Sequence, residues 1–324
     1  MREISYSEAI REALCEEMRL NPHAYLMGED VAVFGGVWGV SEGMLAEFGP
    51  DRVRDTPISE AAIIGAGLGS AMVGMRPIVE IMFGDFLMCA GDQLVNQVAK
   101  ARFMSGGKAR IPLTIRVTSG APGSAAAQHS QSPEAWFMNV PGLKIATPSS
   151  PADAKGLLKT AIRGDDPVLF FEHKMLYGEK GPVPEDENYT LPFGKADIVR
   201  PGTDITVIGI SIMVKKALEA AELLSAEGIS VEVIDPRTLV PLDKETLIQS
   251  VAKTSRVVIA HEAHRRAGPG AEIAAMLAEE AIEYLDGPII RVGAKNVPLP
   301  YGPDMEEFVL PGTKEIIEAI RSLV

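Results

Sequence analysis

Cysteine is almost absent from this chain. Only Cys15 and Cys89 occur in 324 residues. Neither sits in a CxxC or Cys/His spacing, which argues against a zinc site. Both are expected to be reduced, buried thiols, as in a reducing compartment. Long apolar runs are missing too. The apolar stretches are short and broken by glycine, so no membrane span is expected. The opening MREISYSEAI enters an amphipathic helical pattern at once, not a signal peptide. A cytoplasmic location is the expectation, or the mitochondrial matrix if a transit peptide has been removed. Positive charge is scarce: 31 Lys and Arg face 44 Asp and Glu, a net charge of −13, with no basic block. Nucleic acid, which is held through Lys and Arg on phosphates, is a poor partner for such a chain. No GxxxxGK[ST] occurs, which excludes a P-loop.

Hydrophobic residues, at 46%, supply ample cores, and the length suits two domains. Ser7 is the expected N-cap of the first helix. Apolar strands then alternate with helical patterns. AYLMGEDV (24–31) reads as a strand, and SEGMLAEFG as a helix stopped by Gly49 and Pro50. The stretch 52–74 gives a short strand, a turn at Pro57 and a helix capped by Ser59. RPIVEIMF (76–83) is a strand, residues 86–104 a long buried helix, and IPLTIRV (111–117) another strand. Such alternation predicts an α/β fold of two domains, each a mainly parallel sheet flanked by helices. The Pro-, Gly- and acid-rich stretch 177–195 reads as a linker. The expected domains are thus 1–176 and 196–324.

GAGLGS (65–70) resembles a dinucleotide-binding glycine run. It lies inside a helical pattern rather than at a strand-to-helix turn, so it lacks the context that motif needs. Other polar residues fall just past strand ends, where open parallel sheets bind ligands. They are Glu29 and Asp30, Glu60, the group Phe83, Asp85 and Phe86, and His129 in AAAQHSQS (125–132). Taken singly, Glu60 is a first-turn acid that favours the helix dipole, Phe86 a core aromatic, and Glu29 a solvated turn carboxylate. His129 is harder to dismiss, because polar neighbours can orient a histidine for proton transfer. His173, His261 and His264 are weaker candidates, the last two in AHEAHRRAGPG.

The segments DTPISE (55–60), RPIVEIMFGDF (76–86), NQVAKARFMSGG (96–107), AAAQHSQS, 148–173, DPRTLVPLD (235–243) and NVPLPYG (296–302) together show a resemblance. They resemble the beta subunit of thiamine-diphosphate-dependent 2-oxo acid dehydrogenases, of the pyruvate or acetoin type, over nearly the whole chain. The resemblance implies a transketolase-like pyrimidine-binding domain followed by a transketolase C-terminal-like domain. Glu60 matches the glutamate that hydrogen-bonds N1′ of the cofactor's aminopyrimidine and favours the imino tautomer that takes the C2 proton. Phe86 matches the aromatic packed on that ring, and Glu29 a carboxylate of a proton relay. His129 matches an active-site histidine that guides the 2-oxo acid and then the lipoyl group. Leu113, Ala161, Gly164 and Asp166 match positions whose carbonyls hold K⁺ in some members.

The family's Mg²⁺ and diphosphate signature, GDG…NN, is missing; GED, GDF, GDQ and GDD occur instead. The resemblance therefore implies that an alpha subunit supplies those contacts, in an α₂β₂ heterotetramer. It also implies docking to the peripheral domain of a dihydrolipoyl acyltransferase and visits from its lipoyl domain, which an acidic chain suits electrostatically. Pyruvate is the first substrate expected, acetoin the second and branched-chain 2-oxo acids the third. From other classes, a NAD-binding oxidoreductase and a non-catalytic scaffold stay open.

Overall fold

Ser5, not Ser7, opens the first helix. Its side chain accepts from the Glu8 amide at 3.2 Å, and the Glu8 carboxylate accepts from the Ser5 amide at 2.7 Å. This reciprocal capping box wins because Ser7 has no acid three residues on.

The computed structural model describes residues 1–121 and 123–324. They divide into two units, Met1–Ser119 with Trp136–Phe193, and Gly120–Ala135 with Gly194–Val324. The first carries β1 (Arg2–Ser5), α1 (Tyr6–Leu20), β2 (Ala24–Gly28), α2 (Met44–Phe48), β3 (Val53–Asp55), α3 (Glu60–Met72) and β4 (Arg76–Ile81). There follow α4 (Ala101–Met104), β5 (Thr114–Ser119), α5 (Glu134–Met138) at the join, β6 (Lys144–Ala146), α6 (Pro151–Arg163), β7 (Val168–His173) and β8 (Lys180–Val183). Its strands pair in parallel in the order β6-β7-β5-β4-β2-β3. β2, β5 and β7 are buried along their whole length, as a sheet covered on both faces requires.

Glycine lets α3 lie close on this sheet. A Cβ at Gly67 would come within 3.0 Å of the Leu113 and Val79 side chains. On the same unit α1 packs on α6 through charge. Lys155 and Lys159, both fully buried, reach Glu16 and, from Lys155, Glu12. Burial alone would raise the Glu16 carboxyl, but hydrogen bonds from the two lysines hold it below its ordinary value.

The second unit carries β9 (Asp197–Arg200), β10 (Ile205–Gly209), α7 (Ile212–Ser225), β11 (Val231–Asp235), β12 (Thr238–Val240), α8 (Lys244–Thr254) and β13 (Val257–His264). α9 (Pro269–Glu280), β14 (Ile290–Ala294), α10 (Pro303–Val309) and α11 (Thr313–Arg321) complete it. Its sheet runs β14-β13-β10-β11-β9, parallel except for the edge strand β9.

The structure departs from several expectations. Cys15 is buried but Cys89 is exposed. The stretch read as one helix over 86–104 is broken: a 3₁₀ segment Gly84–Ala90, a π segment Asp92–Val98 and the short α4. Its apolar periodicity is that of a helix, but it does not distinguish one hydrogen-bond spacing from another. The stretch read as a linker lies on the first unit. β8 pairs antiparallel with β1, and the Leu191 carbonyl accepts from Thr160 at 2.7 Å.

His261 makes the second unit sensitive to acid. Its ring is buried, and Nδ1 lies 3.0 Å from the Ala263 carbonyl. Gly268, Gly270 and Gly293 close around it; a Cβ on any of them would come within 2.8 Å of the ring. Burial pushes the imidazole down to about 4. The neutral ring's stability is present above its unfolded value of about 6.5 and is lost as pH falls toward 4, about 3 kcal/mol in all. A His261→Asn variant should lack this loss. The difference between the two proteins' stability curves, measured by denaturant titration from pH 7 to pH 4, should show it; parallel curves would refute it.

Candidate functional site

Parallel strands deliver their C-terminal ends to one edge of the sheet, and β3, β2 and β4 are neighbours there. Gly28 stands level with both Asp55 and Glu80. Past Gly28 the chain enters Glu29 at once. From β3 it passes Thr56, whose amide donates to the Gly28 carbonyl at 2.9 Å, and reaches Glu60 as the first residue of α3. From β4 it reaches Phe83 and Phe86. Three of the predicted residues, Glu29, Glu60 and Phe86, thus come to one edge.

Both carboxylates are 8% exposed. Burial raises the Glu29 carboxyl above its ordinary range, and the charges of Glu60, Asp30 and Glu80 push the same way. The Glu60 charge thus bears directly on Glu29. The Thr56 hydroxyl beside them is shielded from water and has no hydrogen-bond partner among the described residues. A polar ligand edge would satisfy it.

Aromatic rings back this edge. Phe86 meets Phe83 edge-on at 5.7 Å, Phe83 meets Trp38 edge-on at 6.5 Å, and Trp38 stacks on Tyr177 at 5.6 Å. The loop that carries Trp38 is pinned by Asp55, which accepts from the amides of Ala32 at 2.6 Å and Val33 at 3.2 Å. Gly35, Gly36 and Gly39 supply its left-handed turns. Sequence reading passed over Trp38; a tryptophan inside a glycine-rich run, GGVWGV, was the available signal.

Beneath the rings lies a buried ion network that sequence reading also missed. Arg116, in β5, donates through Nη1 to Glu80 at 2.5 Å, and through Nε and Nη2 to Glu172 at 2.7 and 2.8 Å. Tyr177 donates to Glu172 at 2.9 Å and lies 2.8 Å from the Thr118 hydroxyl. Burial alone would depress the guanidinium, but the two carboxylates reverse that and hold it above its ordinary value.

His129 is carried by the other unit. It lies in Gly120–Ala135, which belongs to the second unit, and it is half-buried. Glu134 closes that segment; burial, with a push from Glu262, raises its carboxyl to about 7. The four proposed cation positions gather where α6 ends. The Ala161 carbonyl accepts from the Gly164 amide at 3.2 Å, Leu113 from Val168 at 3.0 Å and Gly164 from Arg76 at 2.6 Å. The side chain of Asp166 pairs with Arg102 and Lys144. Among the described residues no cluster of three or more His, Cys, Asp or Glu could hold a metal.

Comparison with known proteins assigns both units. Residues 2–180 match the transketolase pyrimidine binding domain, and residues 194–316 the transketolase C-terminal domain. Acetoin:2,6-dichlorophenolindophenol oxidoreductase subunit beta of Bacillus subtilis is 48% identical over all of this chain and 98% of its own length. Pyruvate dehydrogenase E1 component subunit beta of Rhizobium meliloti is 45% identical over all of this chain and 70% of its own. The chain belongs to the beta subunits of the 2-oxo acid dehydrogenases, pyruvate and acetoin type. A solved split-gene transketolase, described as an inactive beta4 tetramer, shares the fold of this beta subunit at a TM-score of 0.81 and 25% identity, over 99% of this chain and 98% of that one. This beta subunit is accordingly part of a thiamine-diphosphate-dependent enzyme, and its first unit binds the pyrimidine half of the cofactor. Gly65, Gly67 and Gly69 lie within α3, past its first turn, so they do not form a strand-to-helix phosphate turn. No helix among the described residues is long and apolar enough to cross a membrane.

Proposed function

We propose that this beta subunit forms, with an alpha-type companion, the decarboxylating component of a 2-oxo acid dehydrogenase complex acting on pyruvate. The observation that carries the reading is a half-site. Two buried carboxylates and an aromatic stand at one sheet edge, while the chain has no GDG…NN signature for Mg²⁺ and diphosphate. When bound, thiamine diphosphate supplies the nucleophilic carbon and the electron sink for decarboxylation.

The chain's own residues position and protonate. Glu60 holds a proton against N1′ of the pyrimidine, and Phe86 gives that ring an apolar face. Glu29, coupled to Glu60, passes or stores the proton. His129 guides the 2-oxo acid and later the lipoyl group, completing reductive acylation. The carbonyls of Leu113, Ala161 and Gly164 each keep a second lone pair, so with Asp166 they suit a monovalent cation such as K⁺. The net charge of −13 favours a basic docking domain on the acyltransferase. Acetoin stays the second substrate reading, favoured by the 48% identity to an acetoin-oxidising relative.

The test is to purify the chain alone and with its companion, then measure cofactor binding and turnover of pyruvate and acetoin. Alone it should neither bind intact thiamine diphosphate tightly nor turn over. Together they should do both, with the larger kcat/KM on pyruvate. Tight binding and turnover by the lone chain would sink the half-site, and a preference for acetoin would replace the substrate.

A further inference from the structure

The segment Gly120–Ala135 is held by acids from far along the chain. Glu262, in β13, accepts from the Ala121 amide at 2.7 Å. Glu306, in α10, accepts from the amides of Gly123 and Ser124 through one oxygen, at 3.1 Å each. Glu306 is 1% exposed, and its other oxygen is shielded without a partner among the described residues. An acid kept dry for two backbone amides is costly unless those amides matter.

Two further observations point the same way. Ala121 is buried in an apolar cluster with Ala294, Leu299, Val309 and Leu310, so α10 and the end of β14 grip the segment by packing as well. The segment is also strained. Ser124 and Ala126 have φ of 52° and 60°, in the left-handed region that costs non-glycine residues free energy. A strained loop keeps one conformation only when its surroundings dictate it. The Gly120 amide, donating to the Gln131 carbonyl at 3.1 Å, closes the loop at its base. His129 lies between these anchors.

We infer that Glu306, with Glu262, is a positioning residue: the pair fixes the backbone that presents His129. This rests on the proposed role of His129. It gives a task to two motifs the cofactor site leaves unused, AHEAH (260–264) and PDMEE (303–307). Glu262 points to one end of the loop, and Glu306 locks the strained turn that follows.

The test uses the full complex with Glu306→Ala, Glu306→Gln, His129→Ala and the double variant, plus Glu307→Ala as an exposed control on the same helix. Amide hydrogen exchange should rise at least tenfold in residues 120–135 of E306A, less in E306Q, and stay unchanged in β10 and β13. kcat should fall at least tenfold in E306A with the KM for thiamine diphosphate unchanged, and E307A should match wild type. The double variant should be no slower than H129A alone, because both losses act through one ring. Unchanged exchange in 120–135, or an equal rise across the second unit, would overturn the clamp. Should E306A fail to fold, E306Q decides by the same exchange pattern. A fully active H129A would remove the histidine's proposed role, yet the exchange result would still rule on the clamp.

Discussion

Replacing Glu60 with glutamine should cut turnover by 10²- to 10⁴-fold, the range set by losing a positioned proton-transfer group. Fold stability should fall by no more than about 1 kcal/mol. The two numbers separate two roles of one side chain. As a first-turn acid at the start of α3, Glu60 interacts with the helix dipole, an effect of about 0.3–1 kcal/mol. Its cap is otherwise weak, since Ser59 makes no side-chain capping bond. In the proposed role its buried carboxyl would face a pyrimidine nitrogen and hold a proton there that an amide cannot exchange. Glu8 gives the contrast. It is also a first-turn acid, but it closes a capping box, so Glu8→Ala should cost stability and leave kcat intact. The pH profile of Glu60→Gln carries a further sign. Besides burial, the Glu60 charge helps to raise Glu29, so its removal lets Glu29 ionise at lower pH. The measurements are steady-state kinetics on the reconstituted complex and denaturant unfolding. A variant with normal kcat and a loss of about 1 kcal/mol would reduce Glu60 to a helix-terminal charge and favour a non-catalytic scaffold.

The residues at that edge were legible for particular reasons. β2, β4 and β5 are buried on both faces, so each reads as an apolar run, and the first polar residue past it marks the strand end. Glu29 is legible that way past β2. Glu60 instead follows the turn after the mostly exposed β3, and Phe86 lies just past β4; the family resemblance supplies the roles proposed for all three. What escaped notice depends on partners distant in sequence. Glu262 and Glu306 bind amides 141 to 183 residues away. Those bonds tie the segment to the second unit, and no local pattern encodes that. α10 was missed because a seven-residue helix opened by Gly302 and Pro303 looks like a turn. The break within 84–104 leaves no trace either, because apolar spacing does not report hydrogen-bond geometry. Arg116 was the plainest omission. Inside IPLTIRV it reads as one polar interruption, yet it is fully buried and pairs with Glu80 and Glu172, 36 and 56 residues away.

That arginine sets the second large effect. Arg116→Met should destabilise the first unit by about 3–5 kcal/mol, the usual cost of leaving buried charges without their partner. The side chains of Glu80 and Glu172 are 9% and 1% exposed. Neither could turn to water, and both would have to take up protons or stay charged in a dry core. The variant's destabilisation should thus shrink at lower pH, where the orphaned acids are neutral, a direction opposite to that expected of a lost surface pair. A triple change, Arg116→Met with Glu80→Gln and Glu172→Gln, should recover much of the loss, because removing every charge removes the desolvation penalty with it. The site would register the single variant as well. Glu80 already helps to raise Glu29, and Tyr177, which bonds Glu172, carries Trp38 and through Phe83 the ring of Phe86. Loss of the arginine should therefore weaken cofactor binding in the reconstituted complex before it unfolds the chain. Chemical denaturation at pH 7.5 and pH 5.5, with cofactor titration on the same samples, checks both arms. A loss under about 1 kcal/mol with unaltered cofactor affinity would mean that the ion network neither supports the fold nor reaches the edge above it.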